Sequence, residues 1–449
     1  SPTRDALEDT RARLEQDLGF AVRFTLPVPA GDALRSRIPS QQGPQRTSQA
    51  DLVGELMRWG RMSVPVHQLS SVLARLEGDA GVDRVEEVPI AELCALVPDD
   101  PLLRNQQAWV GYTGLQEAWA AARSESDVAI RVAVVDGGTQ WAHPDLAANV
   151  ALNGADPPGD GIDQDGNGFV DDHLGWNFPR GDGDPAAIDG QSFNARHGTH
   201  VAGIIGGVLG NGIGIAGAGG NPELILINAA HPTIDGRIGY GYEGILYAIA
   251  RGADIVNCSW RTARFLGGKI SDAPYSEFEA AVLRLARESG VLVVAAAGND
   301  SSDELWTTPA GYEGVLSVTA TTTVIEDQVL WPGSNAAPWI DLAAPGYGVT
   351  STFPEDQAGS LGAYGLLNGT SMAAAVVSGI AALVKRDHPE WSAEQLESRL
   401  RWSAADIGLE EGFRVVRADH ALASTEGPDL RIVLRGLADA DGDGLAEGG

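Results

Sequence analysis

The chain has 449 residues, 43% of them hydrophobic, enough for one large core with a smaller module beside it. Its 61 acidic against 31 basic side chains give a formal net charge of −30, which repels phosphate backbones and argues against a nucleic-acid partner. The longest apolar runs, residues 291–297 and 372–384, are too short or are broken by Gly and Ser, so no membrane span is expected.

Residues 1–97 read as a small α+β module. Residues 21–26 have the composition of a strand and stop at Pro27, and residues 83–88 look like another. Residues 49–59 and 66–76 carry apolar positions at helical spacing, and the Gly/Pro/Ser/Gln-rich stretch 36–48 reads as a loop. The chain opens at Ser1 without an apolar leader and is expected to be a trimmed form, so an extracellular location is inferred from activity rather than from a signal. Cys94 and Cys258 do not make a disulfide framework; both read as small buried hydrophobes, with a bridge between them left open.

Residues 98–425 alternate short apolar, β-rich runs (132–135, 224–228, 255–257, 291–297, 315–319) with helical stretches (198–208, 242–251, 276–289, 371–387). That alternation predicts an α/β fold, a mostly parallel sheet with helices on both faces. Residues 426–449 are acidic and Gly-rich and read as a tail or linker.

Four blocks carry chemistry. Asp136 closes the apolar run 132–135 and precedes Gly137 and Gly138, at the strand end where open α/β sheets place their sites. His197 begins His-Gly-Thr-His-Val-Ala-Gly, read as a helix start, and Ser371 sits in Gly-Thr-Ser-Met-Ala-Ala, between a turn and a long small-residue helix. A serine hydroxyl attacks only when an imidazole takes its proton, and that imidazole needs a carboxylate to fix its tautomer. Asn299, ending Ala-Ala-Ala-Gly-Asn, offers a side-chain amide to a developing oxyanion.

These blocks, in the order Asp, His, Asn, Ser, resemble the signature blocks of the subtilases across nearly all of residues 98–425. The resemblance implies a secreted, monomeric serine endopeptidase with the subtilisin-like fold. Ser371 is then the nucleophile, His197 the general base and acid, Asp136 its orienter and Asn299 the oxyanion donor. It implies polypeptide substrates bound as an added strand, with Ser259, Trp260, Arg261 and Gly298 on one side and Gly236 and Ile238 on the other. Arg261 stands where the family usually has Gly, and Trp260 where it has a smaller aliphatic residue. Trp260 either roofs a pocket or packs as core. Ala375 replaces a common Pro that the chemistry does not need. Asp300 either biases the pocket mouth toward basic side chains or is a solvated loop carboxylate.

The loop 163–172 spaces oxygen donors around a Gly turn as calcium loops do, which nominates Asp163, Asp165, Asn167, the Phe169 carbonyl and Asp172 for a structural Ca²⁺; a solvated turn cluster is the alternative. By resemblance alone, Asp145 with Asn211 and the carbonyls of Val208, Ile213 and Ile215 would form a second Ca²⁺ site. The tail 439–444 has weaker calcium-loop spacing. The Gly-rich stretch 210–214 follows a helix rather than a strand and is not a dinucleotide loop, and His143, His173, His200 and His231 form no zinc set.

Residues 1–97 resemble a subtilase prodomain, which implies an intramolecular inhibitor removed by self-cleavage within 87–102. The competing reading is a catalytically silent subtilase-like binding protein or calcium-stiffened scaffold. Loss of a triad member would favour it, and none is lost.

Overall fold

The computed structural model describes residues 98–122, 128–266, 269–322, 329–409 and 412–423, with the backbone of the short strands Phe24–Thr25 and Arg61–Met62. The chain divides into two compact units, Ser1–Leu93 and Cys94–Gly449. In the first, Phe24–Thr25 pairs antiparallel with Arg61–Met62, inside the strand expected over 21–26. The helices expected over 49–59 and 66–76, the strand over 83–88 and the tail from 426 lie outside the described residues.

The second unit is built on a sheet whose strands, in chain order, are β1 (Arg131–Asp136), β2 (Gly175–Asn177), β3 (Glu223–Asn228), β4 (Ile255–Cys258), β5 (Leu292–Ala296), β6 (Val315–Thr321), β7 (Leu342–Pro345), β8 (Ala405–Asp406) and β9 (Arg414–Val415). They lie in the order β8-β9-β7-β6-β5-β4-β1-β3-β2, and every neighbouring pair is parallel except β8 with β9 at one edge. The expected mostly parallel α/β architecture is the observed one.

Among the described residues of this unit the α-helices are α1 (Leu103–Tyr112), α2 (Leu115–Ala121), α3 (Ser192–Gly206), α4 (Gly241–Ala250), α5 (Glu277–Glu288), α6 (Thr370–Asp387), α7 (Ala393–Ser403) and α8 (Ala418–Leu422). Successive strand side chains serve opposite faces. Val132 and Val134 of β1 pack into one core with Val201 and Ile204 of α3 and Val376 and Ile380 of α6. Ala133 and Val135 enter a second core with Ile245 of α4 and Val282 and Leu283 of α5. A strand covered on both faces must be apolar throughout, which is why β1, β3 and β5 read as continuous hydrophobic runs.

Helix α6 is buried from Thr370 to Lys385, as its small and apolar residues all round require. Fully burying a side chain such as Ile380 or Leu383 contributes about 1.5–3 kcal/mol. That burial holds the first turn of α6, and Ser371 with it, against the rim of the sheet.

Helix α3 begins at Ser192, so His197 lies in its second turn and not at its start as the motif suggested. The cause is a cap supplied from elsewhere. The Asp235 carboxylate accepts from the N–H groups of Phe193 (3.0 Å) and Asn194 (2.9 Å), satisfying donors that the first turn leaves free.

Candidate active site

Strand β1 lies between β3 and β4, the point where the chain stops adding strands on one side and crosses to the other. Its C-terminal end is therefore a natural crevice. Asp136 sits there, 3% exposed, and its Oδ1 accepts from the Gly137 N–H at 2.7 Å. Across the crevice, His197 Nδ1 lies 2.9 Å from Asp136 Oδ1 and 3.1 Å from Oδ2. A carboxylate only accepts, so Nδ1 carries the proton and Nε2 is left as the acceptor when the ring is neutral. Gly198 makes this approach possible, because a Cβ there would stand 2.2 Å from the Gly138 carbonyl oxygen and 3.2 Å from Asp136 Oδ1.

Ser371, 8% exposed, is the second residue of α6. Its backbone N–H is among the first-turn donors without an intrahelical partner. The Ser371 hydroxyl donates to the Ser259 carbonyl at 2.9 Å, and the Ser259 hydroxyl donates back to the Ser371 carbonyl at 2.7 Å. This reciprocal pair ties the start of α6 to the chain leaving β4, beside β1. Asn299 follows β5 and is exposed, and its Oδ1 accepts from the Thr370 N–H at 3.0 Å and the Thr370 hydroxyl at 2.9 Å. The predicted carboxylate, imidazole, hydroxyl and amide thus come from four segments to one rim of the sheet.

Burial disfavours a charged imidazole, but the charge and hydrogen bond of Asp136 outweigh it and raise the His197 pKa above 6.5. One turn further, burial and the charge of His197 push His200 down to about 3, so it stays neutral. His200 Nε2 faces the carbonyls of Val349 (3.0 Å) and Gly365 (3.2 Å), a structural role. Among the described residues Cys258 is a free, buried thiol, and burial and then Asp136 raise its pKa steeply, so it is no nucleophile; Cys94 lies outside those residues. The exposed Phe193 ring stacks on His197 at 5.8 Å and 22°. Sequence reasoning missed Phe193, Thr370 and Asp235, whose roles depend on which segments meet.

Of the substrate-side residues, Trp260 packs edge-on against Tyr242 at 5.6 Å and lies so close to Gly241 that a Cβ there would meet its ring at 2.5 Å. This favours the packing alternative over an open roof. Arg261 forms an ion pair with Asp300, whose side chain is 7% exposed, so that carboxylate is neither free to attract a basic side chain nor a solvated loop group, the two alternatives open for it. Ile238 bridges antiparallel to Ala230, and Gly236 donates its N–H to Asn194 Oδ1 at 2.9 Å, which connects that segment to α3.

In the acidic loop, carboxylate oxygens of Asp156, Asp163 and Asp165 converge within 4.8 Å of one another. Asp156 is fully buried, and the donors are all hard oxygens, a set that fits Ca²⁺. Asp156 was not legible because it lies outside the regular spacing of 163–172. Asp172 lies outside that group, while Asn167 Nδ2 donates to Asp165 Oδ2 within it at 3.1 Å. Asp172 Oδ2 accepts from Tyr247 Oη at 2.8 Å and from Asn167 Nδ2 at 3.0 Å, with Arg251 at 3.4 Å, so it anchors the loop to α4 and its neighbour instead of joining the cluster. The Phe169 ring packs on Trp176, Phe178 and Tyr247.

At the other predicted metal position, Asp145 is fully buried, and burial lifts its pKa to about 6 against the pull of the Ile215 N–H. Asn211 Nδ2 donates to Asp145 Oδ1 at 2.8 Å, and the Ile215 N–H donates to Oδ2 at 2.8 Å. Asn211 Oδ1 instead accepts from the Ile213 N–H at 2.9 Å, and the Val208 N–H donates to the Asp145 carbonyl at 3.0 Å. Asp100, missed in the sequence, accepts from Gly210 N–H at 2.9 Å on the same loop.

A buried serine at a helix start, a carboxylate-held imidazole and an α/β sheet are the parts that a serine hydrolase requires. A model described as the subtilase family matches residues 127–427. The chain is 35% identical to a halolysin-like extracellular serine protease of Natrialba magadii over 74% of this chain and 54% of that protein. It is 32% identical to subtilisin E of Bacillus subtilis over 74% of this chain and 73% of that protein. A solved protease structure from Pseudoalteromonas arctica, 26% identical, matches with a TM-score of 0.55 over 72% of this chain and 98% of that one. The chain belongs to the subtilase family, whose class is the subtilisin-like serine endopeptidases. It spans about half the length of the halolysin-like relative, 54%, and more of subtilisin E, 73%. Among the described residues no helix is long and apolar enough to cross a membrane.

Proposed function

We propose that the chain hydrolyses peptide bonds through an acyl-enzyme formed on Ser371. The observation that carries the reading is the contact of His197 Nδ1 with both Asp136 oxygens at 2.9 and 3.1 Å, which leaves Nε2 as a base. The Ser371 hydroxyl turns from the Ser259 carbonyl to Nε2 by an ordinary rotamer change. His197 takes its proton as Oγ bonds to the scissile carbonyl carbon. The carbonyl oxygen gains charge between Asn299 Nδ2 and the Ser371 N–H at the positive end of α6. The amine then leaves with the proton from His197, and water attacks the ester by the reverse proton path.

Polypeptide substrates lie extended between 259–261 and 236–238, adding a strand to the rim. Residues 1–97 act as an intramolecular inhibitor released by self-cleavage within 87–102, and the protein works as an extracellular monomer. Ca²⁺, held by Asp156, Asp163 and Asp165 and near Asp145, would stiffen loops and take no part in the chemistry.

The test compares wild type with Ser371→Ala on casein, with and without a phosphonofluoridate, following chain length by mass. Inhibitable turnover and shortening confined to wild type are expected. Equal turnover by both proteins removes the reading, and full-length chains from both remove self-cleavage.

A further inference from the structure

We propose that Arg261 and Asp300 form an ion-pair latch across the position of the side chain next to the scissile carbonyl, and that the latch selects small, uncharged side chains there. The inference rests on the endopeptidase reading above and assigns its selectivity. Strands β4 and β5 are parallel neighbours, with Cys258 in register with Ala295. Beyond their C-terminal ends the chain continues as two arms, one running through Ser259 and Trp260 to Arg261, the other through Gly298 and Asn299 to Asp300.

Each arm supplies a group at the reacting centre. The Ser259 carbonyl holds the Ser371 hydroxyl at 2.9 Å, and Asn299 is tied to Thr370, the residue before Ser371. A carbonyl carbon at Ser371 with its oxygen at Asn299 leaves the side chain of its own residue nearest these arms. Across the space between them, Arg261 Nη2 meets Asp300 Oδ1. The arginine stem also covers Gly298 (φ 109°), since a Cβ there would lie 3.2 Å from Arg261 Cδ and 3.2 Å from Asp300 Oδ2.

The pair is built in from behind. The Asp300 N–H donates to Asn335 Oδ1 at 3.0 Å, and Asn335 Nδ2 donates to the Ala297 carbonyl at 3.0 Å and reaches Asp300 Oδ2 at 3.4 Å. The Asp300 side chain is 7% exposed and that of Arg261 29%, so removing one partner strands a charge in a poorly solvated place. A long substrate side chain must displace the arginine stem. A basic or acidic one meets a carboxylate and a guanidinium that already neutralise each other.

The test uses the full chain, wild type and variants, on four peptide p-nitroanilides differing only in the residue before the scissile bond: Ala, Phe, Lys or Glu. Competent enzyme is counted by phosphonofluoridate titration, and kcat/KM is read as a ratio to the Ala peptide for each protein. Wild type should favour Ala by about tenfold or more, the scale on which pocket contacts discriminate. Arg261→Gly should raise the Phe and Lys ratios by about tenfold, because the space opens and the carboxylate is bared. Asp300→Asn should raise the Glu ratio instead, and the double variant should raise Phe alone.

Ratios unchanged in both single variants, or Lys and Glu moving together, overturn the latch. If Arg261→Gly melts early by circular dichroism, the near-isosteric Asp300→Asn decides alone through its Glu ratio. Wild type that neither titrates nor turns over removes the endopeptidase reading itself, a result distinct from turnover with a flat selectivity profile.

Discussion

The Thr370 N–H donates to Asn299 Oδ1 at 3.0 Å, and the Thr370 hydroxyl donates to the same oxygen at 2.9 Å. A backbone N–H only donates, so the amide has one admissible orientation, with oxygen inward and Nδ2 outward. The residue before the candidate nucleophile thereby aims the candidate oxyanion donor. Asn299→Ala should lower kcat by about 10²–10³ with little change in KM, the loss expected for one donor made fully only in the transition state. Thr370→Val keeps the backbone anchor and should lose much less. Steady-state kinetics on one chromogenic peptide compare the two, and equal losses would contradict the aiming role.

His197 must be neutral to accept a proton, and its pKa is raised by Asp136 against the effect of burial. The imidazolium therefore persists above pH 6.5, and kcat/KM should fall as pH drops through a limb lying above that value. Asp136→Asn removes the raising charge while burial remains, so the limb should move down as kcat falls by about 10⁴. A pH–rate profile of both proteins gives the sign, and a limb that stays in place would count against Asp136 as the cause.

Phe193 stacks on the His197 ring at 5.8 Å, with 22° between the ring planes. Phe193→Ala should admit water, favour the imidazolium and push the acid limb further up. Activity at neutral pH should fall by about two- to tenfold, the 0.5–1.5 kcal/mol scale of an aromatic pair. Phe193→Tyr should restore both. A loss of activity with no movement of the limb would mean that the ring only packs.

Removing divalent cations with a chelator should lower the melting temperature, and added Ca²⁺ should restore it, because the metal binds only the folded loop. Asp156→Ala should shrink that shift. Tyr247→Phe leaves the cluster intact but strips a hydrogen bond from buried Asp172, so it should cost about 1–3 kcal/mol with or without Ca²⁺. Scanning calorimetry on both variants separates the two, and a chelator-insensitive wild type would remove the calcium proposal.

Periodicity made the sheet legible in advance, and residue chemistry with the resemblance to the subtilase blocks nominated four candidate reacting groups. Runs such as 132–135 and 291–297 are apolar because both faces of β1 and β5 are covered, and that burial leaves its mark in the linear order. Asp136, His197, Asn299 and Ser371 were nameable as candidates because few residue types can orient, accept, donate and attack, and because the segments that carry them resemble the subtilase blocks. Contacts between distant segments were not legible. Asp235 capping α3 across the fold, Thr370 turning Asn299, Phe193 covering His197, Asp156 entering the acidic cluster and Arg261 neutralising Asp300 all depend on loops brought together by packing. A side chain's type states what bonds it can make. Only the folded backbone decides which partner stands within about 3 Å of it.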